Sequence, residues 1–180
     1  MKRIYLILIL AVIAFSSGCA DNGRSEIVEK GDNISVNYIG MYDNGTVFDT
    51  SLIDVAKKAG IYDTSRNYEP LVFVVGAGQM ISGFDNGVLN MTIGENKTLK
   101  LSPDEAYGEY KEEYLVPVPR SDLENNSIVP EIGRQIGTLM GIATIVDITD
   151  TNLTLDFNSP LAGKNLTFDI TVVSIEKAKK

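Results

Sequence analysis

The chain has 180 residues, a length typical of one domain or of one domain with an insertion, and 44% of its residues are hydrophobic, enough for a sizeable core. Its net charge is −8, so it would repel a nucleic-acid backbone, and we predict no nucleic-acid partner. It contains one cysteine and no histidine, which excludes Ser-His-Asp and Cys-His catalysis and histidine-ligated zinc because each needs an imidazole.

The N-terminus has the parts of a signal peptide followed by the single cysteine. Lys2 and Arg3 form a charged start, and the apolar run Ile4–Phe15 is shorter than the roughly 20 residues that a membrane span needs. The pattern resembles a lipoprotein signal, so we predict removal of residues 1–18, a lipid on Cys19 and an extracytoplasmic chain held at the cell membrane. An uncleaved N-terminal anchor and ordinary signal cleavage stay open.

Sequons for N-glycosylation are frequent. Thirteen asparagines and 24 serines and threonines in 180 residues would give about 1.7 Asn-x-Ser/Thr triplets by chance. The chain has seven, beginning at Asn33, Asn44, Asn90, Asn96, Asn125, Asn152 and Asn165. They indicate sugar attachment outside the cytoplasm, or simply the frequency of Asn and Thr in turns and edge strands.

After a polar tether over residues 19–26, strands dominate the chain. Alternating apolar residues, or short continuous apolar runs, predict strands at residues 34–38, 47–50, 71–75, 98–101 and 166–172. The turn Asp43-Asn44-Gly45 joins the first two as a hairpin. We therefore expect a mostly antiparallel sheet.

Two helices are predicted. Ser82 and Asp85 have the spacing of a capping box, and an apolar stripe follows with Ile81, Phe84, Val88 and Leu89. A second possible helix, Ile53–Ala59, lies in a stretch over residues 52–69 that we interpret as a loop insertion.

The residue pattern of the sequence changes between residues 109 and 156. Val-Pro-Val-Pro at 116–119 is expected to break the chain, and the segments on either side of Asp150 predict a hairpin. We predict a small β-rich lobe inserted into the main sheet.

The glycines in residues 72–89 have the local order of a dinucleotide-binding loop. The first three fall at 76, 78 and 83, which does not match G-x-G-x-x-G, and no alternating strand-helix pattern surrounds them. We therefore expect no phosphate there.

Three stretches together resemble the FKBP-type peptidyl-prolyl cis-trans isomerases. They are VEKGDNISVNYIGMYDNGTVFDTS, PLVFVVGAGQMISGFDNGVLNMTIGENKTLKLSPDEAYGEY and NSPLAGKNLTFDITVVSIEK, and with the segments between them they reach from Ile27 to Lys177. The lobe before PLAG makes the chain similar to the SlyD-like subclass, whose insert-in-flap domain occupies that place. The resemblance implies an α+β fold in which an antiparallel half-barrel over residues 27–108 and 157–177 wraps one short helix.

The resemblance also implies a site. Its catalytic residues would be Tyr38, Phe48, Asp49, Ile81, Tyr107 and Phe168, and its substrate-binding residues Leu71, Phe73, Met80 and Phe84. The Ile81 N–H and the Tyr107 O–H would hold substrate carbonyls, with Asp49 fixed by Tyr38. The best-known members carry Trp in place of Phe84, so tight macrolide binding is not expected. Without the joint pattern, such apolar residues are more often part of a plain core than of a site, and Asp49 would be a solvated carboxylate at a strand end.

Proline isomerisation suits a chain without histidine. Rotation about an X-Pro bond is slow because it breaks amide resonance, at a cost of about 18 to 20 kcal/mol for a peptide bond. A dry aromatic pocket favours the twisted, less polar amide and needs no proton transfer. We expect no cofactor, and no metal because the chain lacks the His- and Cys-rich tail of SlyD-like proteins.

The expected function is therefore a foldase for unfolded, proline-containing exported polypeptides. For the lobe, the resemblance implies a chaperone surface, for which Leu115, Val116, Ile136, Leu139 and Met140 are candidates, although they could equally form the lobe's own core. The alternative for the whole chain is a non-catalytic polypeptide-binding module.

Overall fold

The structure is a computed structural model that describes residues 27–124 and 129–179. The predicted signal segment, the tether, Cys19 and the sequon at Asn125 lie outside the described residues. Among the residues described, no helix is both long and apolar enough to cross a membrane.

Five antiparallel strands form the first sheet. The order is β2-β1-β9-β4, and β3 pairs with β1 beyond the end of β2. The strands are β1 (Asn33–Tyr42), β2 (Val47–Thr50), β3 (Leu71–Val74), β4 (Asn96–Leu101) and β9 (Leu166–Glu176). The last strand of the chain therefore lies in the interior of the sheet. The prediction of an α+β fold with antiparallel sheets is confirmed.

Strand β1 alternates strictly between buried and half-buried residues. Ile34, Val36 and Tyr38 face the core, as their spacing predicts. The next inward position is Gly40, where an added Cβ would lie 2.8 Å from the ring of Phe48 and 3.1 Å from that of Phe168. A glycine is needed here because both rings pack directly against the backbone of β1.

Helix α1 (Ile53–Ala59) occupies the predicted position and ends at Gly60, whose φ is 74°. Helix α2 (Ser82–Gly87) carries the buried Phe84 on its sheet-facing side. The predicted capping box on α2 is wrong. The N-cap is Ile81 rather than Ser82, so Asp85 falls one position beyond the place from which it could close the box.

Both side chains of the predicted box serve other purposes. The Ser82 hydroxyl donates to the Glu105 carbonyl at 3.2 Å, and the Asp85 carboxylate accepts the Gly76 N–H at 2.9 Å. A capping box does occur between Ser102 and Glu105, around a short 3-10 helix at Pro103–Glu105. The spacing rule therefore identified the motif at the wrong place.

A buried carboxylate ties the residue before β1 to the residues that follow β9. Asp32 is 1% exposed and accepts hydrogen bonds from Lys177 Nζ at 2.8 Å, the Glu29 N–H at 2.8 Å and the Ala178 N–H at 3.0 Å. These three donors stabilise a charge that burial alone would disfavour.

A second antiparallel sheet lies in sequence between β4 and β9. Its order is β5-β8-β7-β6, with the short helix α3 (Arg120–Glu124) following β5. The strands are β5 (Leu115–Pro119), β6 (Gln135–Thr138), β7 (Gly141–Ile148) and β8 (Asn152–Asp156). Its core consists of Ile136, Ala143, Ile145, Leu153 and Leu155. Strands β7 and β8 form the hairpin expected around Asp150.

Val-Pro-Val-Pro does not break the chain as expected. It forms most of β5, which among the described strands pairs with β8 alone and is thus an edge strand of its sheet. Proline is tolerated on an edge because its missing N–H faces away from the neighbouring strand.

Two segments that hydrogen-bond to each other connect the sheets. Gly163 N–H donates to the Gly108 carbonyl at 2.8 Å, and Phe157 N–H to the Tyr114 carbonyl at 3.0 Å. The chain leaves the first sheet and returns to it through this single neck.

Candidate functional site

A cavity of about 280 Å³ opens between α2 and the inward face of the first sheet. It is of the size that holds one small ring. Nine of its ten lining residues were predicted from the sequence, and the tenth is Gln79. The lining consists of Tyr38, Phe48, Asp49, Leu71, Gln79, Met80, Ile81, Phe84, Tyr107 and Phe168.

Phe84 forms the floor and organises the aromatic walls. Its ring stands edge-to-face against Phe168 at 5.4 Å between centroids and against Tyr38 at 6.3 Å. Phe168 in turn stands edge-to-face against Phe48 at 5.8 Å. Each such contact contributes about 0.5 to 1.5 kcal/mol beyond the burial of the rings, so the walls are stiff.

Phe73, which the resemblance implies to be a substrate-binding residue, does not line this cavity. It is 2% exposed and packs behind the floor, with its ring 5.8 Å from that of Phe84. Alternation along β3 put Phe73 correctly on the inward face but could not separate the cavity wall from the core behind it. Its contact supports the position of Phe84.

A hydrogen-bonded network closes one wall of the cavity. Tyr38 O–H donates to Asp49 Oδ2 at 2.7 Å, and the Thr50 N–H donates to Asp49 Oδ1 at 2.8 Å. Arg66 completes the network, because its Nη1 pairs with Asp49 Oδ1 and its Nη2 donates to the Tyr38 hydroxyl oxygen at 2.9 Å. The predicted fixing of Asp49 by Tyr38 therefore agrees with the geometry.

The network keeps the phenol of Tyr38 protonated. Burial and the Asp49 carboxylate together raise the pKa of Tyr38 to about 12, although Arg66 opposes them. Burial and the charge of Asp49 also raise the pKa of Tyr107. At neutral pH both phenols are therefore hydrogen-bond donors.

Two donors at the cavity have no partner among the described residues. The Tyr107 O–H and the Ile81 backbone N–H enter no hydrogen bond there, whereas Asp49 is fully engaged. The site therefore combines an apolar floor with free donors at its edge. This arrangement can orient carbonyl groups but offers no nucleophile.

Arg66 and Gln79 were missed by the sequence analysis. Arg66 lies in the stretch over residues 52–69 that was interpreted only as an insertion, yet it is the sole arginine between residues 25 and 119. A carboxylate beside an aromatic cavity needs a counterion, which is the signal that could have identified it. Gln79 immediately precedes the predicted rim residue Met80, and its side chain accepts the Val74 N–H at 2.8 Å.

The glycine turn after β3 serves geometry rather than phosphate binding. Gly76 and Gly78 have φ of 79° and 72°, values that glycine adopts without strain. The Gly76 N–H is already occupied by the Asp85 carboxylate, which would repel a second anion. The turn brings Met80 and Ile81 to the rim of the cavity.

The second sheet presents an apolar surface of a different kind. At the turn between β6 and β7, which we call the β6–β7 tip, Leu139 is fully exposed and Met140 and Ile142 are each 70% exposed. Of the other candidate residues of the lobe, Ile136 is buried in the small core, and Leu115 and Val116 are half-buried. Within the described residues, no group of His, Cys, Asp and Glu is arranged to hold a metal ion.

Comparison with known proteins gives a consistent result. The family model for FKBP-type peptidyl-prolyl cis-trans isomerases matches residues 24–173. A short-type peptidyl-prolyl cis-trans isomerase of Methanocaldococcus jannaschii is 39% identical over 153 residues, which cover 85% of this chain and 97% of that protein. The isomerase SlyD of Helicobacter pylori is 35% identical over 123 residues, 67% of this chain and 66% of that one. FK506-binding protein 1 of Dictyostelium discoideum is 41% identical over 86 residues, covering 48% and 68%.

Proposed function

The chain belongs to the FKBP-type peptidyl-prolyl cis-trans isomerase family, a family of enzymes, and we propose that it isomerises X-Pro bonds in the aromatic cavity while its second sheet holds unfolded exported polypeptides. The observation that supports the cavity as the site is the convergence of nine predicted residues around one apolar space whose carboxylate is already neutralised.

The proposed mechanism uses differential solvation. A planar X-Pro amide has a polar carbonyl that water solvates well, whereas the amide twisted towards the transition state has lost resonance and is less polar. The ring of the substrate proline would lie on Phe84, and the walls of Phe48 and Phe168 would exclude water. Each 1.4 kcal/mol by which this environment prefers the twisted state gives about tenfold in rate.

The free donors would orient the substrate. The Tyr107 O–H and the Ile81 N–H would bind carbonyls on either side of the proline, which fixes the chain while one amide rotates. Asp49, held by Tyr38 and Arg66, would act as a fixed dipole in the wall rather than as a base. The mechanism needs no cofactor or metal.

The test is the proline-limited refolding of an unfolded protein. The wild-type chain should accelerate the slow phase, and Phe168→Ala and Asp49→Ala should remove most of the acceleration. Val173→Ala is the matched control for Phe168→Ala, since Val173 lies on β9 but is 41% exposed. No acceleration by the wild type would contradict the proposal and leave a non-catalytic polypeptide-binding module.

Tyr107→Phe keeps the assay informative if Phe168→Ala fails to fold. The substitution removes one hydroxyl from a half-exposed side chain and should lower kcat/KM several-fold without unfolding the protein. Circular dichroism of each variant separates loss of activity from loss of structure.

For the second sheet we propose the role of the insert-in-flap domain of SlyD-like isomerases, with residues 109–156 forming the lobe. The β6–β7 tip supports this role, because Leu139, Met140 and Ile142 expose apolar area that a folded monomer gains nothing from exposing. An extended, unfolded segment could bind there and deliver its prolines to the cavity.

The tip is tested with Leu139→Ser combined with Met140→Ser. Turnover of a short proline peptide should stay at the wild-type level, while acceleration of protein refolding should fall about tenfold. Deleting residues 112–154 should reproduce the same split. An equal loss on both substrates would contradict the proposed role.

We also propose that Cys19 carries a lipid that holds the chain at the outer face of the cell membrane. The charged start, the short apolar run and the single cysteine of the sequence support this. Cys19→Ala should release the chain from the membrane fraction. Unchanged partitioning would contradict lipidation.

A further inference from the structure

We propose that the chain is N-glycosylated, first of all on Asn44, Asn90 and Asn152. The proposal rests on the proposed export of the chain, because N-x-Ser/Thr sequons are acceptors in secreted proteins. It explains an excess of sequons to which isomerisation contributes nothing.

The excess is directional. Seven triplets read Asn-x-Ser/Thr, whereas the reversed order, Ser/Thr-x-Asn, occurs only twice, at Ser35 and Ser65. Composition and the two-residue alternation of strands would raise both orders equally, and about 1.7 of each is expected by chance. An Asx turn favours the forward order, but among the six described sequons only that of Asn44 forms one. An enzyme that reads the triplet in one direction accounts for the rest of the excess.

Most of the sequon asparagines are accessible. The structure describes six of the seven, and five of these are exposed. Asn33, the sixth, is half-buried and its amide donates to Glu176 at 3.3 Å. It is therefore the poorest acceptor of the six.

The five exposed asparagines fall into two groups, according to whether the side-chain amide donates a hydrogen bond. Asn96 donates from Nδ2 to Thr171 Oγ1 at 3.0 Å, and Asn165 donates to Asp43 Oδ2 at 3.3 Å. The Nδ2 groups of Asn44, Asn90 and Asn152 donate to no described residue. These three amides are therefore free to react.

Each of the three lies at a turn. Asn44 lies between β1 and β2, and its Oδ1 accepts the Thr46 N–H at 2.9 Å, so its sequon is folded back on itself. Asn90 follows α2 with φ of 64°, and Asn152 is the first residue of β8. A sugar at a turn projects from the sheet ends and displaces no packed side chain.

The proposed sugars lie away from the two surfaces at which the proposed function binds polypeptides. None of the six described sequon asparagines lines the aromatic cavity, and no sequon begins between residues 129 and 151, which include the β6–β7 tip. Glycans at the three turns would therefore coat the molecule while leaving the cavity and the tip uncovered.

The covalent step needs a glycosyl donor, an oligosaccharide joined through its anomeric carbon to a lipid-linked phosphate. The Asn Nδ2 forms a bond to that carbon, the bond from carbon to phosphate oxygen breaks, the lipid phosphate leaves with the electron pair, and Nδ2 loses one proton. No oxidant or reductant takes part.

The test is peptide mass spectrometry of the full chain recovered from its native cells after separation of membrane and soluble fractions. We expect sugar-sized mass shifts on the peptides of Asn44, Asn90 and Asn152 and none on Asn37 or Asn67, which belong to the reversed triplets. Thr46→Val should abolish the shift at Asn44 alone, and Thr46→Ser should retain it.

The two proposals fail in different ways. A chain recovered from the membrane without sugar on any of the seven asparagines overturns glycosylation and leaves export standing. A chain recovered unmodified from the cytoplasm overturns both.

Discussion

The two sheets use apolar residues in opposite ways. In the first sheet most of them face inward, where strands and α2 enclose a large buried cluster with the aromatic cavity at its edge. In the described part of the second sheet five buried residues form the core, and Leu139, Met140 and Ile142 point into solvent. Catalysis of a bond rotation needs a rigid shape, which close packing supplies, whereas holding varied unfolded segments needs apolar area without a fixed shape.

Among the substitutions that test this difference between the two sheets, Phe84→Ala is expected to have the largest effect. Removing the floor should destabilise the protein by about 3 to 5 kcal/mol and abolish turnover of every substrate, because three rings lose their packing partner. Denaturant unfolding and a peptide isomerase assay measure both effects. Ile93→Ala, at a residue that is 55% exposed, is the control and should change stability by less than about 0.5 kcal/mol. A stability loss below about 1 kcal/mol for Phe84→Ala would contradict the rigid-cavity interpretation.

The next effect is expected from Ile145→Ala in the small core of the second sheet. Ile145 is fully buried, so its truncation should cost about 2 to 4 kcal/mol. We expect amide hydrogen exchange to accelerate in β5 to β8 only, since the neck is the connection between the sheets. Equal acceleration in β1 and β9 would show that the two sheets unfold as one unit.

A smaller effect is expected from Arg66→Ala. Loss of the guanidinium group that holds both Asp49 and Tyr38 should lower kcat/KM about threefold to tenfold. This corresponds to a rise of roughly 1 kcal/mol in the activation free energy. Because Arg66 lowers the pKa of Tyr38, its removal should raise that pKa, which ultraviolet titration of the tyrosines measures against the wild type. Arg66→Lys should recover part of the activity, and Arg134→Ala, in the second sheet, should change neither quantity. An unmoved tyrosine titration would contradict the positioning role.

The smallest effect concerns acid stability. Burial would raise the pKa of Asp32, but hydrogen bonds from Lys177, Glu29 and Ala178 outweigh it and lower the pKa below 3.8. Asp32 thus contributes stability that is fully present above its unfolded-state pKa and is lost as the pH falls from about 3.8 through its lowered value. The free energy of unfolding, measured from pH 6 to pH 2, should fall less steeply with decreasing pH for Asp32→Asn than for the wild type. An unchanged slope would show that Asp32 does not contribute to the loss of stability in acid.

Alternation made the first sheet predictable from sequence. The inward residues of β1 and β9 repeat every second position, so the sequence pattern alone places Tyr38 and Phe168 on one face. The resemblance then supplied the neighbours that alternation cannot give, such as Ile81 and Tyr107, which come from a turn and a loop.

The errors share a physical cause, because each depends on a contact between residues distant in sequence or on a one-residue shift. Arg66 has no local signal of its own and gains its role from Asp49, 17 residues away. Ser82 is not the N-cap because α2 begins one residue earlier than the spacing of Ser82 and Asp85 predicts. Val-Pro-Val-Pro became a strand because it lies at an edge, a fact that belongs to the sheet as a whole.

The interior position of β9 has a consequence for the order of folding. Phe168 is carried by the last strand to be synthesised, and its partners on β1 lie more than a hundred residues earlier in the chain. Pairing at such separation carries a high loop-closure entropy and is slow, whereas β7 and β8 are adjacent and can pair early. As the chain is made, the second sheet is therefore complete before the cavity can close, and the molecule acquires the surface proposed to hold polypeptides before its own aromatic cavity.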